Sequence, residues 1–124
     1  MSSSTEKKKR VLVAEDDAPM ARALSLKLTG AGFEVVCVTA GEQTLAALDK
    51  DKFDVLLLDL IMPGVDGFAV LKELKAKGSK LPVVVLTNLG QEEDRAKVNA
   101  LGAVGYYVKS DTPLNKIVEI VGKI

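Results

Sequence analysis

The chain has 124 residues and a mass of 13.2 kDa, which is room for one domain at about 100 to 200 residues per domain. Hydrophobic residues make up 48% and charged residues 27%, a balance that can bury a core and excludes a disordered chain. Seventeen Lys and Arg stand against seventeen Asp and Glu, so no net field draws the protein to nucleic acid or to an anionic membrane, and direct contact with neither is expected.

Histidine is absent. That removes Ser-His-Asp and Cys-His catalysis, imidazole metal ligation and a phosphohistidine carried on this chain, and leaves acid and base work to carboxylates and lysines. The single cysteine, Cys37, cannot form an internal disulfide; its place in the apolar run Val35 to Val38 is that of a core residue in a reducing compartment. The longest apolar runs fall far short of the roughly 20 residues of a membrane span. The stretch Val11 to Ala14 is too short for the core of a signal peptide and meets acids at once. A cytoplasmic location is expected.

Taken in chain order, residues 1–8 read as a flexible N-terminal tail and residues 9–124 as the folded domain. Met1 to Arg10 is polar, and the basic run Lys7 to Arg10 reads as a solubilising tail; as a nucleic-acid arm it is short and lacks interleaved aromatic residues. The first strand is Val11 to Ala14. Asp17 is placed to cap a helix carrying Met20, Leu24 and Leu28 on one stripe, with Gly30 and Gly32 as its stop. A second strand, Val35 to Val38, precedes a weaker helix marked by Leu45 and Leu48. The third strand, Val55 to Leu58, precedes a helix carrying Phe68, Leu71 and Leu74 that ends near Gly78. Val83 to Leu86 is the fourth strand, and Gln91 to Leu101 a fourth helix ended by Gly102. The fifth strand, Val104 to Val108, leads through Thr112 and Pro113 to a helix whose apolar stripe is Leu114, Ile117, Val121 and Ile124. Three of the strands (Val-Leu-Val-Ala, Val-Leu-Leu-Leu and Val-Val-Val-Leu) do not alternate with polar residues, as expected where helices cover both faces of a parallel sheet. Five βα units in succession predict an α/β fold with one doubly wound, five-stranded parallel sheet, five helices and right-handed crossovers.

In such a sheet the ligand site lies beyond the carboxyl ends of the strands, where strand order reverses. There the first strand runs into Glu15, Asp16 and Asp17, the third into Asp59 and the turn Leu60-Ile61-Met62-Pro63-Gly64, the fourth into Thr87 and Asn88, and the fifth into Lys109 and Ser110. Crowded carboxylates repel unless a cation intervenes, and a hard divalent ion such as Mg²⁺ prefers oxygen ligands and commonly combines one or two carboxylates with phosphate oxygens. Lys109 can pair with an arriving anion, and Thr87 can donate a hydrogen bond to it. This is equipment for phosphoryl transfer without a nucleotide cradle: no Gly-x-Gly-x-x-Gly follows the first strand and no Gly-x-x-x-x-Gly-Lys-Ser/Thr occurs. Each residue also has a plain structural reading: Asp59 as a turn residue, Asp17 as a helix cap, Thr87 as a strand end, Lys109 as a solvated charge. Their convergence on one edge favours function for all but Asp17.

Glu15-Asp16-Asp17 after the first strand, Asp59-Leu60-Ile61-Met62-Pro63-Gly64-Val65-Asp66-Gly67 after the third, Thr87 after the fourth and Tyr106-Tyr107-Val108-Lys109 on the fifth resemble the receiver domain of two-component response regulators, over about residues 9 to 124. The resemblance implies a flavodoxin-like sheet of strand order 2-1-3-4-5. It implies a phosphorylation-controlled switch in which Asp59 takes a phosphoryl group from a phosphohistidine on a sensor histidine kinase or histidine phosphotransferase. Asp16, Asp59 and the backbone carbonyl of Ile61 would hold Mg²⁺ or Mn²⁺, Glu15 would assist through water, and Lys109 and Thr87 would complete the catalytic set. Thr87 and Tyr106 would form a switch that reshapes the face of the fourth helix, fifth strand and fifth helix, through which a downstream protein target is bound. Homodimerisation on phosphorylation stays open, and so does the reading of Tyr106 as an ordinary core tyrosine, because Tyr107 faces the opposite way.

Three departures from the family pattern stand out. Ser110 replaces the proline usual after the lysine, which puts the geometry of that loop in question. Asn88 replaces a small residue beside the threonine. Ile61 and Leu89, two residues after Asp59 and Thr87, are apolar at positions that influence hydrolysis of the aspartyl phosphate. The chain stops right after its fifth helix, which reads as a stand-alone receiver or one excised from a longer protein. The expected protein is not an enzyme on outside substrates; the competing readings are a metal-dependent small-molecule phosphatase or phosphotransferase using Asp59, and a phosphate-independent pseudo-receiver.

Overall fold

The computed structural model describes residues 8–124. Most of the expected tail therefore lies outside the described residues. Five strands form one parallel sheet: β1 (Arg10–Ala14), β2 (Glu34–Val38), β3 (Val55–Leu58), β4 (Val83–Thr87) and β5 (Gly105–Val108), in the order β2-β1-β3-β4-β5. Five helices alternate with them: α1 (Ala18–Gly30), α2 (Gly41–Lys50), α3 (Gly67–Ala76), α4 (Glu92–Ala100) and α5 (Leu114–Gly122).

The three non-alternating runs are the three central strands. Every residue of β3 and β4 and all but the first of β1 are buried, whereas the edge strands β2 and β5 are mostly half-exposed. Because side chains alternate across a strand, β1 sends Val11 and Val13 to one face and Leu12 and Ala14 to the other. The first face packs with Val55, Leu57, Val84 and Leu86 under α1 and α5, represented by Leu24, Leu28, Ile117 and Val121. The second packs with Leu56, Leu58 and Val85 under α3 and α4, represented by Val70, Leu71, Leu74 and Val98, with Leu45 and Leu48 of α2 at its margin. Helices thus cover both faces, as expected. α4 stops at a residue outside the range of L side chains: Gly102 has φ +93°, a conformation open to glycine without the Cβ penalty.

Four sequence expectations are corrected. Cys37 is exposed, because β2 is an edge strand whose outer side no helix covers; burial of its flank by α1 still raises the thiol pKa. The fifth strand starts at Gly105, not Val104, which is 62% exposed. Ile124 lies past the end of α5 and outside its buried stripe. Asp17 stands at the N-cap of α1 without a side-chain cap bond. Pro19, the second residue of that helix, offers no N–H, and the Asp17 amide is itself engaged by a Glu15 carboxylate oxygen at 3.2 Å.

The end of the basic run is also not a solvated tail. Lys9 Nζ donates to the Val121 carbonyl at 3.2 Å, alongside the Ile124 amide, and to an oxygen of Ile124 at 2.8 Å, tying the residue before β1 to the end of α5. Arg10 opens β1, pairs with Glu34 at 2.9 Å and lies 4.7 Å from the Phe53 ring centroid.

Candidate functional site

The backbone ladders carry the acids to one edge. Glu15 continues β1, its amide donating to the Val38 carbonyl at 3.0 Å, and the Asp59 amide donates to the Ala14 carbonyl at 3.0 Å. β1 and β3 are adjacent in the sheet although α1, β2 and α2 separate them in sequence, so strand order reverses where the acids emerge. One carboxylate oxygen each from Glu15, Asp16 and Asp59 lies within 4.8 Å of the others. Glu15 and Asp59 are 2% and 5% exposed, whereas Asp16 faces solvent.

Lys109 reaches this cluster from the end of β5. Its Nζ lies 2.6 Å from Glu15 Oε1 and 2.9 Å from Asp59 Oδ2. The other Asp59 oxygen, Oδ1, accepts from the Ile61 amide at 3.2 Å. Ile61 itself is 53% exposed. Burial, followed by the negative charge of Asp59, raises the Glu15 pKa from its ordinary value, against the pull of Lys109. Burial pulls the Lys109 pKa down, yet its hydrogen bonds and charge attraction to Glu15 and Asp59 outweigh this and hold it above the ordinary lysine value. Lys109 therefore stays an ammonium, and the charge at the edge is three carboxylates to one cation.

That imbalance is the test for a metal. The donors are all hard oxygens, two of them nearly dry, and the surplus of negative charge is what a divalent cation offsets. The residues present fit Mg²⁺.

Thr87 closes β4 and is fully buried. Its Oγ1 accepts from the Leu89 amide at 3.4 Å, and the Leu89 carbonyl in turn accepts from the Tyr106 hydroxyl. Tyr106 is 6% exposed within the α3/α4 side of the core, while Tyr107 packs on the α1/α5 side. Burial, and secondarily the charge of Asp94, raises the Tyr106 pKa against an opposing effect of Arg95. The Lys109–Ser110 bond is trans, as are the other peptide bonds of the described residues. After Lys109 the chain makes a single 3₁₀ turn to Asp111, and Thr112 Oγ1 donates back to the Val108 carbonyl at 2.7 Å.

Two residues without an assigned role in the sequence reading shape this site. Gly67 opens α3 directly against the Asp59–Leu60 backbone: a Cβ there would lie 2.4 Å from the Asp59 carbonyl oxygen. Its signal was available, since Asp66 caps α3 by accepting from the Ala69 amide at 2.9 Å and a glycine follows it at once. The other is Arg95, whose guanidinium carbon sits 4.6 Å from the Tyr106 ring centroid; its signal was hidden, because a charge on a polar helix looks like a solvated one. A groove lined by Leu45, Leu48, Phe53 and Leu74 lies near the start of β3, away from the acids.

Residues 11–121 match the response regulator receiver domain family. A probable transcriptional regulator ycf27 of Pyropia yezoensis is 38% identical over 106 residues, covering 86% of this chain and 43% of that protein. The chain spans less than half the length of the curated relatives it matches. Among solved structures, the Francisella response regulator 1452 receiver domain aligns with a TM-score of 0.89 at 26% identity, over 94% of this chain and 95% of that one. The phosphorylated cyanobacterial phytochrome response regulator RcpA aligns with a TM-score of 0.81 at 30% identity, over 94% and 91%. With the strand order and the acids at the strand ends already in place, a family match over nearly the whole chain makes this protein a member of the receiver domains of two-component response regulators, the phosphoacceptor switches of that signalling system.

Proposed function

We propose that Asp59 is the phosphoacceptor and that its donor is a phosphohistidine on a sensor histidine kinase or a histidine phosphotransferase. The observation that carries this reading is the environment of one carboxylate: Asp59 is 5% exposed, at a strand end, with Oδ2 on Lys109 and Oδ1 on the Ile61 amide, amid two further acids. An Asp59 oxygen attacks phosphorus, the phosphorus–nitrogen bond to the donor imidazole breaks, and the imidazole leaves with the electron pair. Little other covalent work is needed, so catalysis is positioning plus charge.

Lys109 follows the arriving oxygens, exchanging its bonds to Glu15 and Asp59 for bonds to the phosphoryl group. Asp16, Asp59 and the Ile61 carbonyl would hold Mg²⁺ or Mn²⁺, with Glu15 assisting through water. Bound there, the ion would offset charge on the transferring group. Thr87, freed from the Leu89 amide, donates its hydroxyl to the phosphoryl group, and Tyr106 responds, so that the face of α4, β5 and α5 presents a new surface to a downstream protein. The Pyropia yezoensis relative is named a probable transcriptional regulator. For the present chain, whose acidic and basic residues balance, we propose a protein target, no nucleic-acid contact, and action in the cytoplasm. Among the described residues no helix is long and apolar enough to cross a membrane.

Incubation of the protein and of Asp59→Asn with a small phosphodonor and Mg²⁺, read by intact mass, tests the assignment. One phosphoryl group on the wild type and none on the variant is the expected result. Labelling of the variant at the wild-type level overturns it, and continuous turnover of a phosphate ester would point to a small-molecule phosphatase instead.

A further inference from the structure

Tyr106 is held from two sides. On one side its hydroxyl is bound by the Leu89 carbonyl. On the other, Arg95 of α4 lays its guanidinium over the ring at 4.6 Å and donates from Nη1 to the Tyr106 carbonyl at 3.4 Å. Arg95 is half-buried, and among the described residues no ion pair includes it. Its charge is directed at the ring.

The same helix is thinly packed. Val98 is the one buried residue of α4, so the helix depends on contacts of another kind to stay on the sheet. Two cations supply them: Arg95 over Tyr106 of β5, and Lys97 over Phe68 of α3, with Nζ 4.4 Å from the ring centroid. The cation is attracted only by the face of a ring beneath it. A Tyr106 ring that turns outward loses Arg95, whereas Phe68 and Lys97 are untouched by that turn.

We infer that Arg95 is the positioning residue of the switch: it holds Tyr106 inward and α4 against β5, so that release of the ring and loosening of the helix are one event. The inference rests on the reading of Tyr106 as the switch residue. Arg95 biases the equilibrium because its contact with the ring face exists in one state only, whereas its bond to the Tyr106 carbonyl is common to both; a contact made in one state only is the condition for any such bias. By linkage, removing it weakens binding of any ligand that favours the inward ring, as a phosphoryl group at Asp59 does by drawing Thr87 away and leaving the ring room.

The test uses a Tyr107→Phe background, which leaves Tyr106 as the only tyrosine, labelled as fluorotyrosine and observed by fluorine NMR. With Arg95→Ala the resonance moves toward its solvent-exposed position, and beryllofluoride with Mg²⁺, which favours the inward ring by drawing Thr87 away from it, binds about two- to thirtyfold more weakly. Lys97→Ala, which removes the equivalent contact from the same helix, leaves the resonance in place, and Arg95→Lys returns it most of the way. A resonance unmoved by Arg95→Ala, or moved equally by Lys97→Ala, overturns the inference. The unphosphorylated spectrum does not depend on Asp59, so this failure is distinct from failure of the phosphoacceptor assignment, which intact mass reads separately.

Discussion

Replacing Gly67 by alanine probes the contact that seats Asp59. The added Cβ would lie 2.4 Å from the Asp59 carbonyl oxygen, 2.6 Å from Leu60 Cα and 3.1 Å from the Asp59 carbonyl carbon. All three are backbone atoms, with no flexible side chain to swing aside. Relaxed contacts between heavy atoms lie near 3.5 to 4.0 Å, so roughly 1 Å of main-chain movement is required. The Gly67 amide also donates to the Leu60 carbonyl at 3.0 Å, and the same movement strains that bond. Overpacking of this kind costs about 1 to 3 kcal/mol, against a helix-propensity gain of at most about 1 kcal/mol. A net loss of about 1 to 2 kcal/mol lowers Tm by roughly 3 to 10 °C in a chain of this length. Phosphorylation slows by more than the stability loss alone would cause, since a misplacement of about 1 Å at a reacting group can cost on the order of a hundredfold in rate. Gly30→Ala is the control: no atom lies within 4 Å of its Cβ position and its φ is ordinary, so the change is neutral or slightly stabilising. Urea and thermal unfolding of both variants, with phosphorylation followed by intact mass below the transition, give the result. Equal midpoints for the two variants would refute the packing argument.

Two further outcomes follow from the same geometry. The Tyr106 pKa is raised, so the folded state holds the phenol proton more tightly than the unfolded chain does; the contribution of this group to stability is flat below about pH 10 and falls as pH rises from there through the folded-state value. In Tyr107→Phe, ultraviolet titration of the one remaining tyrosine should give a midpoint above that of the same protein in denaturant; a midpoint at or below it while the fold persists would contradict the burial argument. Ile61 and Leu89 cannot hydrogen-bond an attacking water, so the aspartyl phosphate should be long-lived. Ile61→Asn or Leu89→Glu should shorten its lifetime by about tenfold, the worth of one hydrogen bond of about 1.4 kcal/mol. A wild-type lifetime already as short as that of the variants would remove the idea.

The sheet was legible because its central strands are buried on both faces, which forces unbroken apolar runs at Val11–Ala14, Val55–Leu58 and Val83–Leu86. The same logic placed the site, since a parallel sheet delivers the residues after each run to one edge. What failed was local in appearance and long-range in cause. Cys37 sits in an apolar run like the others, yet nothing in the run says that β2 is an edge strand. Lys9 and Arg10 look solvated because their partners, Ile124, Val121, Glu34 and Lys52, lie 24 to 115 positions away. Asp17 has the composition of a cap, but Pro19 removes one amide it would have served. Arg95 needed the ring of Tyr106, eleven residues on, to acquire a partner.

The placement of Tyr106 on β5 and of Lys109 directly after it would suit β5 to transmit a change on the proposed reading. β5 has four residues and hydrogen-bonds to β4 alone, whereas β1, β3 and β4 each have two neighbours. Its burial is also partial, with Tyr106 as its one buried residue. Two groups hold it in place from opposite directions: Lys109 toward the acids at the strand end, and Tyr106 toward Leu89 and Arg95. Lys109 divides two of its three N–H donors between Glu15 and Asp59, which leaves one for an anion added at Asp59. On the proposed reading, a strand paired on one side only thus carries the ring that would report the new charge and leads into the cation that would meet it, whereas β1 and β3, each paired on both sides, lead into the acids.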